Sequence, residues 1–289
     1  MKRRFGIFVF SGWVCATMLP GAALLCQEPA PQTETDSPVD LEAGGEHLRL
    51  ETARGPVHIW RPADYDARTA GTVVYIHGYF TSGDQTWRED HLAAQFQASG
   101  RNALFIAPQS PRANYEEVSW KSLEDLLRTT GEAGAFRIPR GPLVVVGHSG
   151  AFRTILDWLP DPRVQEVILL DGLYSGQREF RFWLRSSPGA RSHRLVLVAS
   201  ETLRRSDRFA RRVPDTARRS SIPADFSNLT PREKRARLLF LRSQYDHLDM
   251  ISSGKVIPLL LKLTALKPLP EPAAPQSENL VHRPSAAGK

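Results

Sequence analysis

Leu143-Val144-Val145-Val146-Gly147-His148-Ser149-Gly150-Ala151 is the stretch whose reading decides the fold. Four consecutive apolar residues, three of them β-branched, predict a strand buried on both faces, as in parallel sheets. The strand ends in glycine and serine, and a helical pattern follows from Ala151 to Leu159. At such a junction a tight turn thrusts the serine hydroxyl out of the sheet, beside a helix N-terminus that favours negative charge. Ser149 is therefore a candidate nucleophile. The ordinary alternative is a serine that merely caps the helix.

Similar short apolar runs lie on either side: 72–76, 103–106, 167–170, 195–198 and 238–241. Amphipathic stretches alternate with them, around Leu92 and Phe96, from Trp120 to Leu127, from Phe180 to Leu184 and from Val256 to Leu266. His47–Glu51 and Pro56–Trp60 instead alternate as an antiparallel hairpin does. A hairpin leading into repeated β-α units predicts an α/β, doubly wound, mostly parallel sheet. In such sheets ligands gather at the carboxyl ends of strands, so functional residues are expected just after the apolar runs.

Three further segments meet that condition. His77-Gly78-Tyr79-Phe80 follows the run 72–76. Gln244-Tyr245-Asp246-His247-Leu248-Asp249-Met250 follows the run 238–241. Two carboxylates directly follow runs, Asp171 after 167–170 and Glu201 after 195–198, with Asp207 further on. Asp171 extends a wholly apolar strand and has no basic neighbour for several residues, so it needs a partner to stay charged there. Glu201 and Asp207 sit among Arg204, Arg205 and Arg208, where a surface ion pair explains them. Asp171 is preferred as the acid, with Glu201 and Asp207 as alternatives.

Gly147-His148-Ser149-Gly150-Ala151 resembles the Gly-x-Ser-x-Gly motif of the α/β-hydrolase family, with alanine for the last glycine. The resemblance covers about residues 47–266. It implies that Ser149 is the nucleophile and that His247, in the loop after the last strand, is the general base. It also implies that Tyr79 and Gly150 offer their amides to an oxyanion; His77 itself reads as structural rather than as a base. The order serine, carboxylate, histidine agrees with this family. The activity implied is hydrolysis of a carboxylic ester, with no cofactor and no metal. The alternatives are an amidase or peptidase acting on envelope material, or a catalytically degenerate module that binds a ligand.

Composition sets the surroundings. The chain has 289 residues, of which 41% are hydrophobic and 24% charged, as in globular proteins with a large core. Residues 1–26 read as an export signal: Lys2, Arg3 and Arg4 precede an apolar span, with cleavage expected after Ala23. Leu24-Leu25-Cys26 also resembles a lipobox, which would make Cys26 a lipid anchor. Cys15 and Cys26 are the only cysteines, so no disulfide is expected in the exported chain. Residues 27–45 read as a disordered tether, 46–267 as the folded domain and 268–289, Pro- and Ala-rich, as a disordered tail. The protein is expected to be periplasmic or secreted.

Between Arg204 and Arg237 lie eleven Lys/Arg and four Asp/Glu, an excess equal to the net charge of +7 of the whole chain. This segment reads either as a surface for anionic partners or as a solvated connection. It is expected to hold a helix around Arg204–Arg212 and another capped by Thr230 with Glu233. Nucleic-acid binding is not expected, because no recognition motif accompanies the charge. The insert between Gly172 and His193 is too short for a large cap domain. Phe80, Trp87, Tyr174, Phe180 and Trp183 are candidates for an aromatic wall beside the site.

Overall fold

The computed structural model describes residues 39–186 and 193–270. The expected export signal, the possible anchor Cys26 and the end of the tail lie outside them.

The chain runs β1 (Asp40–Glu42), β2 (Gly45–Leu50), β3 (Val57–Pro62), β4 (Gly71–Ile76), α1 (Gly83–Glu89), α2 (Leu92–Ser99), β5 (Ala103–Pro108) and α3 (Leu123–Glu132). It continues through β6 (Leu143–His148), a 3₁₀ turn at Ser149–Ala151, α4 (Phe152–Trp158), β7 (Val164–Leu170), α5 (Gln177–Arg185), β8 (Arg194–Ala199) and α6 (Leu203–Ala210). β9 (Thr216–Arg219), α7 (Pro231–Arg235), β10 (Leu238–Arg242), α8 (Asp249–Ser252) and α9 (Val256–Leu261) complete it.

Among the described residues the strands form one ten-stranded sheet in the order β1-β2-β3-β5-β4-β6-β7-β8-β10-β9. β1, β2 and β3 pair antiparallel with their neighbours, and every pairing from β5 onward to β9 is parallel. This is the doubly wound, mostly parallel α/β architecture with antiparallel N-terminal strands. The strand period of two explains the uninterrupted apolar runs. On β4, Val74 and Ile76 join one face's core with Ile155 and Trp158, whereas Val73 and Tyr75 join the other with Phe96 and Ile257. Helices cover both faces, so neither set of side chains tolerates polarity.

Three boundaries differ from the sequence reading. The stretch read as tether contains β1, which pairs with β2, and Glu42 in it accepts hydrogen bonds from Trp60 Nε1 and Trp87 Nε1, both at 2.9 Å. Tail residue Leu269 donates its amide to the Gly100 carbonyl at 2.9 Å, and Pro268 bridges Arg101. The basic connection contains an unforeseen edge strand, β9, where only Ala217 is buried. The capping box of α7 forms reciprocally: Thr230 N–H donates to Glu233 Oε2 at 2.7 Å and Glu233 N–H to Thr230 Oγ1 at 3.3 Å. Within this connection Asp207 pairs with Arg211 and Arg218, and Glu233 with Arg219.

Candidate active site

Ser149 sits directly after β6, at the head of the 3₁₀ turn, with φ of 52°. A non-glycine residue in this left-handed region is held there by its surroundings, since the conformation costs about 1 kcal/mol or more. Ala151, where the motif has glycine, is fully buried with φ of −55°, so its backbone makes no demand that alanine cannot meet.

Three loop ends meet beside it. His247, after β10, places Nε2 at 2.9 Å from Ser149 Oγ and Nδ1 at 2.8 Å from Asp171 Oδ2. A carboxylate only accepts, so Nδ1–H donates to Asp171. That leaves the Nε2 lone pair facing the serine hydroxyl.

Asp171 is 0% exposed and follows β7. Its carboxylate accepts from the backbone N–H groups of Ser200, Glu201 and Thr202, at 2.9, 3.0 and 2.9 Å, and from Thr202 Oγ1 at 2.6 Å. Burial pushes its carboxyl up, but the bonds from His247, Thr202 and Ser200 outweigh burial and hold it well below the usual range. In turn, the Asp171 hydrogen bond raises His247 above an ordinary imidazole, against its own partial burial.

The alternative acids lie elsewhere. Glu201 gives its amide to Asp171, but its side chain is 63% exposed and 3.9 Å from His247 Nδ1. Asp207 faces Arg211 and Arg218. Asp171, Glu201 and His247 bring ligand atoms within 4.8 Å of one another, a spacing that would suit an ion. The Asp171 oxygens, however, are already engaged by N–H and O–H donors, which suits holding an imidazole.

The 77–80 segment closes the site from the other side. His77 donates from Nδ1 to the Gly78 carbonyl at 2.7 Å and accepts at Nε2 from Ser110 N–H at 2.9 Å. It is a buried structural residue, and burial lowers it to about 4. A Cβ on Gly78 would stand 2.9 Å from Ser149 Cβ, and one on Gly150 would stand 2.5 Å from the Tyr79 ring. Both glycines permit this close approach. Arg153 fixes the loop, donating to Tyr79 Oη at 3.2 Å and to the carbonyls of Asn114 and Glu116, each at 2.8 Å.

Sequence reasoning passed over His148 and Thr202 here, and read Tyr174 only as part of an aromatic wall. His148 donates Nε2–H to the His247 carbonyl at 2.9 Å, and burial together with His247 lowers its pKa to about 4. Thr202 bonds Asp171 through both its amide and its hydroxyl. Tyr174 stands edge-on to the His247 ring at 6.4 Å, and burial with the Asp171 and Glu201 charges pushes its phenol up to about 12. A polar residue closing an apolar strand was the available signal for His148.

The serine opens into a cavity of about 870 Å³ whose wall includes Phe80, Phe152, Tyr174 and Leu248. Of the expected aromatic wall, Phe80 and Tyr174 are present. Trp87 instead stacks on His47 and His58, while Phe180 and Trp183 are buried in the core. Helix α5 sits on the core through these two side chains, so its aromatics follow helical packing.

No known family description matches the sequence, and no curated protein does. Solved structures similar in shape include an S-formylglutathione hydrolase from Agrobacterium tumefaciens, with 13% identity over 78% of this chain and 97% of that one, at a TM-score of 0.47. The feruloyl esterase module from Clostridium thermocellum shares 11% identity over 80% of this chain and 92% of its own, at 0.46. Carboxyl esterase 2 from Tuber melanosporum shares 14% over 78% and 88%, at 0.45. These are distant likenesses in shape.

Proposed function

We propose that this protein is a serine hydrolase that cleaves carboxylic esters through an acyl-enzyme. The observation that carries the reading is the continuous line Ser149 Oγ, His247 Nε2, His247 Nδ1, Asp171 Oδ2, with hydrogen-bonding separations of 2.9 and 2.8 Å at its two junctions. Ser149 Oγ attacks the ester carbonyl carbon while His247 Nε2 takes the hydroxyl proton. Asp171 keeps the ring in the required tautomer and stabilises the imidazolium that forms, remaining ionised itself.

The negative oxygen of the tetrahedral intermediate is received by the amides of Tyr79 and Gly150. Gly150 lies in the first turn of a 3₁₀ segment, where N–H groups have no acceptor within the turn. Each such donor lowers the barrier by about 3 kcal/mol. Collapse of the intermediate breaks the bond to the alcohol, which leaves with the proton from His247. Water, deprotonated by the same ring, then attacks the acyl-serine and releases the acid and the free hydroxyl. The basic and apolar start of the sequence supports action outside the cytoplasm.

A fluorophosphonate probe tests the reading. One equivalent is expected to attach to the wild-type protein and none to Ser149→Ala, with p-nitrophenyl acetate or butyrate turned over by the former only. A folded wild-type protein that neither labels nor turns over these esters overturns it.

A further inference from the structure

The cavity beside Ser149 has a charge opposite to that of the chain. The sequence carries +7, yet Glu89, Asp90 and Glu201 line the cavity and, among the described residues, no Lys or Arg does. Nor are these carboxylates neutralised where they stand. Glu89 accepts from the Gln85 amide at 2.9 Å and Glu201 from the Tyr174 hydroxyl at 3.4 Å, both neutral donors, and the basic group nearest Glu201 is the His247 ring at 3.9 Å. Asp90 has no ion-pair partner among the described residues. Burial with Glu89 beside it raises its carboxyl to about 6. Arg153, the guanidinium that grips Tyr79, spends its other donors on the Asn114 and Glu116 carbonyls.

A second, independent feature lies in the same wall. Tyr75, on β4, is 2% exposed and reaches the cavity. Its ring packs edge-on against Phe96, but its hydroxyl has no hydrogen-bond partner among the described residues. Opening into the cavity, this hydroxyl is left to pair with whatever enters it. Both features ask for the same ligand: a group that brings positive charge and hydrogen-bond donors. Anionic acyl or alcohol groups would meet three carboxylates and no Lys or Arg, with only the His247 ring as a basic group.

We propose that the ester cleaved here carries an organic cation, an ammonium or similar group, seated against Glu89, Asp90 and the Tyr75 hydroxyl. The proposal rests on the hydrolase reading above and names its substrate class. Carboxylates along a concave wall focus a negative potential that draws a cation in and orients the carbonyl toward Ser149.

The test compares 2-(dimethylamino)ethyl butyrate, whose protonated amine carries both the charge and an N–H donor at about pH 7, with its neutral carbon isostere, 3-methylbutyl butyrate, at low ionic strength. Fluorophosphonate labelling of the same samples reports whether Ser149 is reactive, independently of substrate charge. The expected result is a kcat/KM about tenfold or more in favour of the cationic ester. That ratio should fall toward unity in the double variant Glu89→Gln/Asp90→Asn, and by a few-fold in Tyr75→Phe. For wild type it should also shrink as salt is added, a readout that needs no variant to fold. A protein that labels and cleaves the neutral ester equally well or better overturns the cation subsite and leaves the hydrolase reading standing. A protein that neither labels nor cleaves either ester overturns both.

Discussion

His148 donates a hydrogen bond from Nε2 to the backbone carbonyl of His247, 2.9 Å away, so the residue before Ser149 also anchors the loop that carries His247. The two rings lie 4.5 Å apart. In His148→Ala the carbonyl loses its donor and the ring its neighbour, a change of about 1–2 kcal/mol. We expect kcat to fall about tenfold with KM little changed. Steady-state kinetics on p-nitrophenyl butyrate check this, and an unaltered kcat would show that the 247 loop needs no such anchor.

The acid assignment separates cleanly by mutation. In Asp171→Asn the three donors at Oδ1 hold the amide oxygen, so the NH2 faces His247 Nδ1 and donates to it, imposing the wrong tautomer, and kcat is expected to drop about 10⁴-fold. Glu201→Gln, at an exposed side chain beyond bonding distance of the ring, should change kcat by less than about threefold. The reverse pattern would place the acid at 201.

Gly78→Ala sets a methyl 2.9 Å from Ser149 Cβ, closer than real Cβ contacts come. The neighbouring backbone must move, and with it the Tyr79 amide. We expect kcat/KM to fall by about tenfold or more, because donors misplaced by fractions of an ångström lose their effect on the oxyanion. Thermal unfolding of the same variant reports the cost to the fold, and an active variant of normal kinetics would remove this loop from the mechanism.

Two pH dependences follow, with opposite sources. His247 must be neutral to accept a proton, and its partner Asp171 raises its pKa. Activity should therefore rise with pH through a midpoint above the usual imidazole value of about 6.5. A midpoint below that value would contradict the Asp171 bond.

Stability turns on other histidines. His58, His77 and His148 are buried, and burial lowers each to about 4. The unfolded chain takes up these protons first, so their contribution is intact above about pH 6.5 and drains away as pH falls toward 4. For His77 and His148 the loss is on the order of 3 kcal/mol each by pH 4. His247 works the other way, its stabilisation present at low pH and lost as pH rises through its raised value. Asp171, held low, loses its contribution only in stronger acid. Urea midpoints measured from pH 8 to 4 should fall from about pH 6 downward. A flat profile to pH 5 would contradict the burial of these rings.

The sheet and the site were legible to different depths. The six apolar runs read as strands appear as β4, β5, β6, β7, β8 and β10, because a strand covered on both faces must be apolar throughout. The placement of Ser149, His247 and Asp171 after their strands followed from the same rule, and the structure brings these three together. What escaped has no such pattern. β1 and β9 lie at sheet edges, where one exposed face leaves no hydrophobic signature. Thr202 bonds Asp171 from a loop whose geometry depends on long-range packing, as does the edge-on placing of Tyr174 against His247. Phe180 and Trp183 were ambiguous, since an aromatic at helical spacing serves a core as readily as a pocket, and here they serve the core.

Asp171 binds the three successive amides of the corner joining β8 to α6, so it is a fastener as well as a partner to the imidazole. Divergence from a common ancestor should then treat the three residues unequally. A descendant relieved of chemistry is free to exchange its serine or its base, whereas surrendering the aspartate would open that corner. Inactive cousins of this chain should keep the acid long after the other two have drifted.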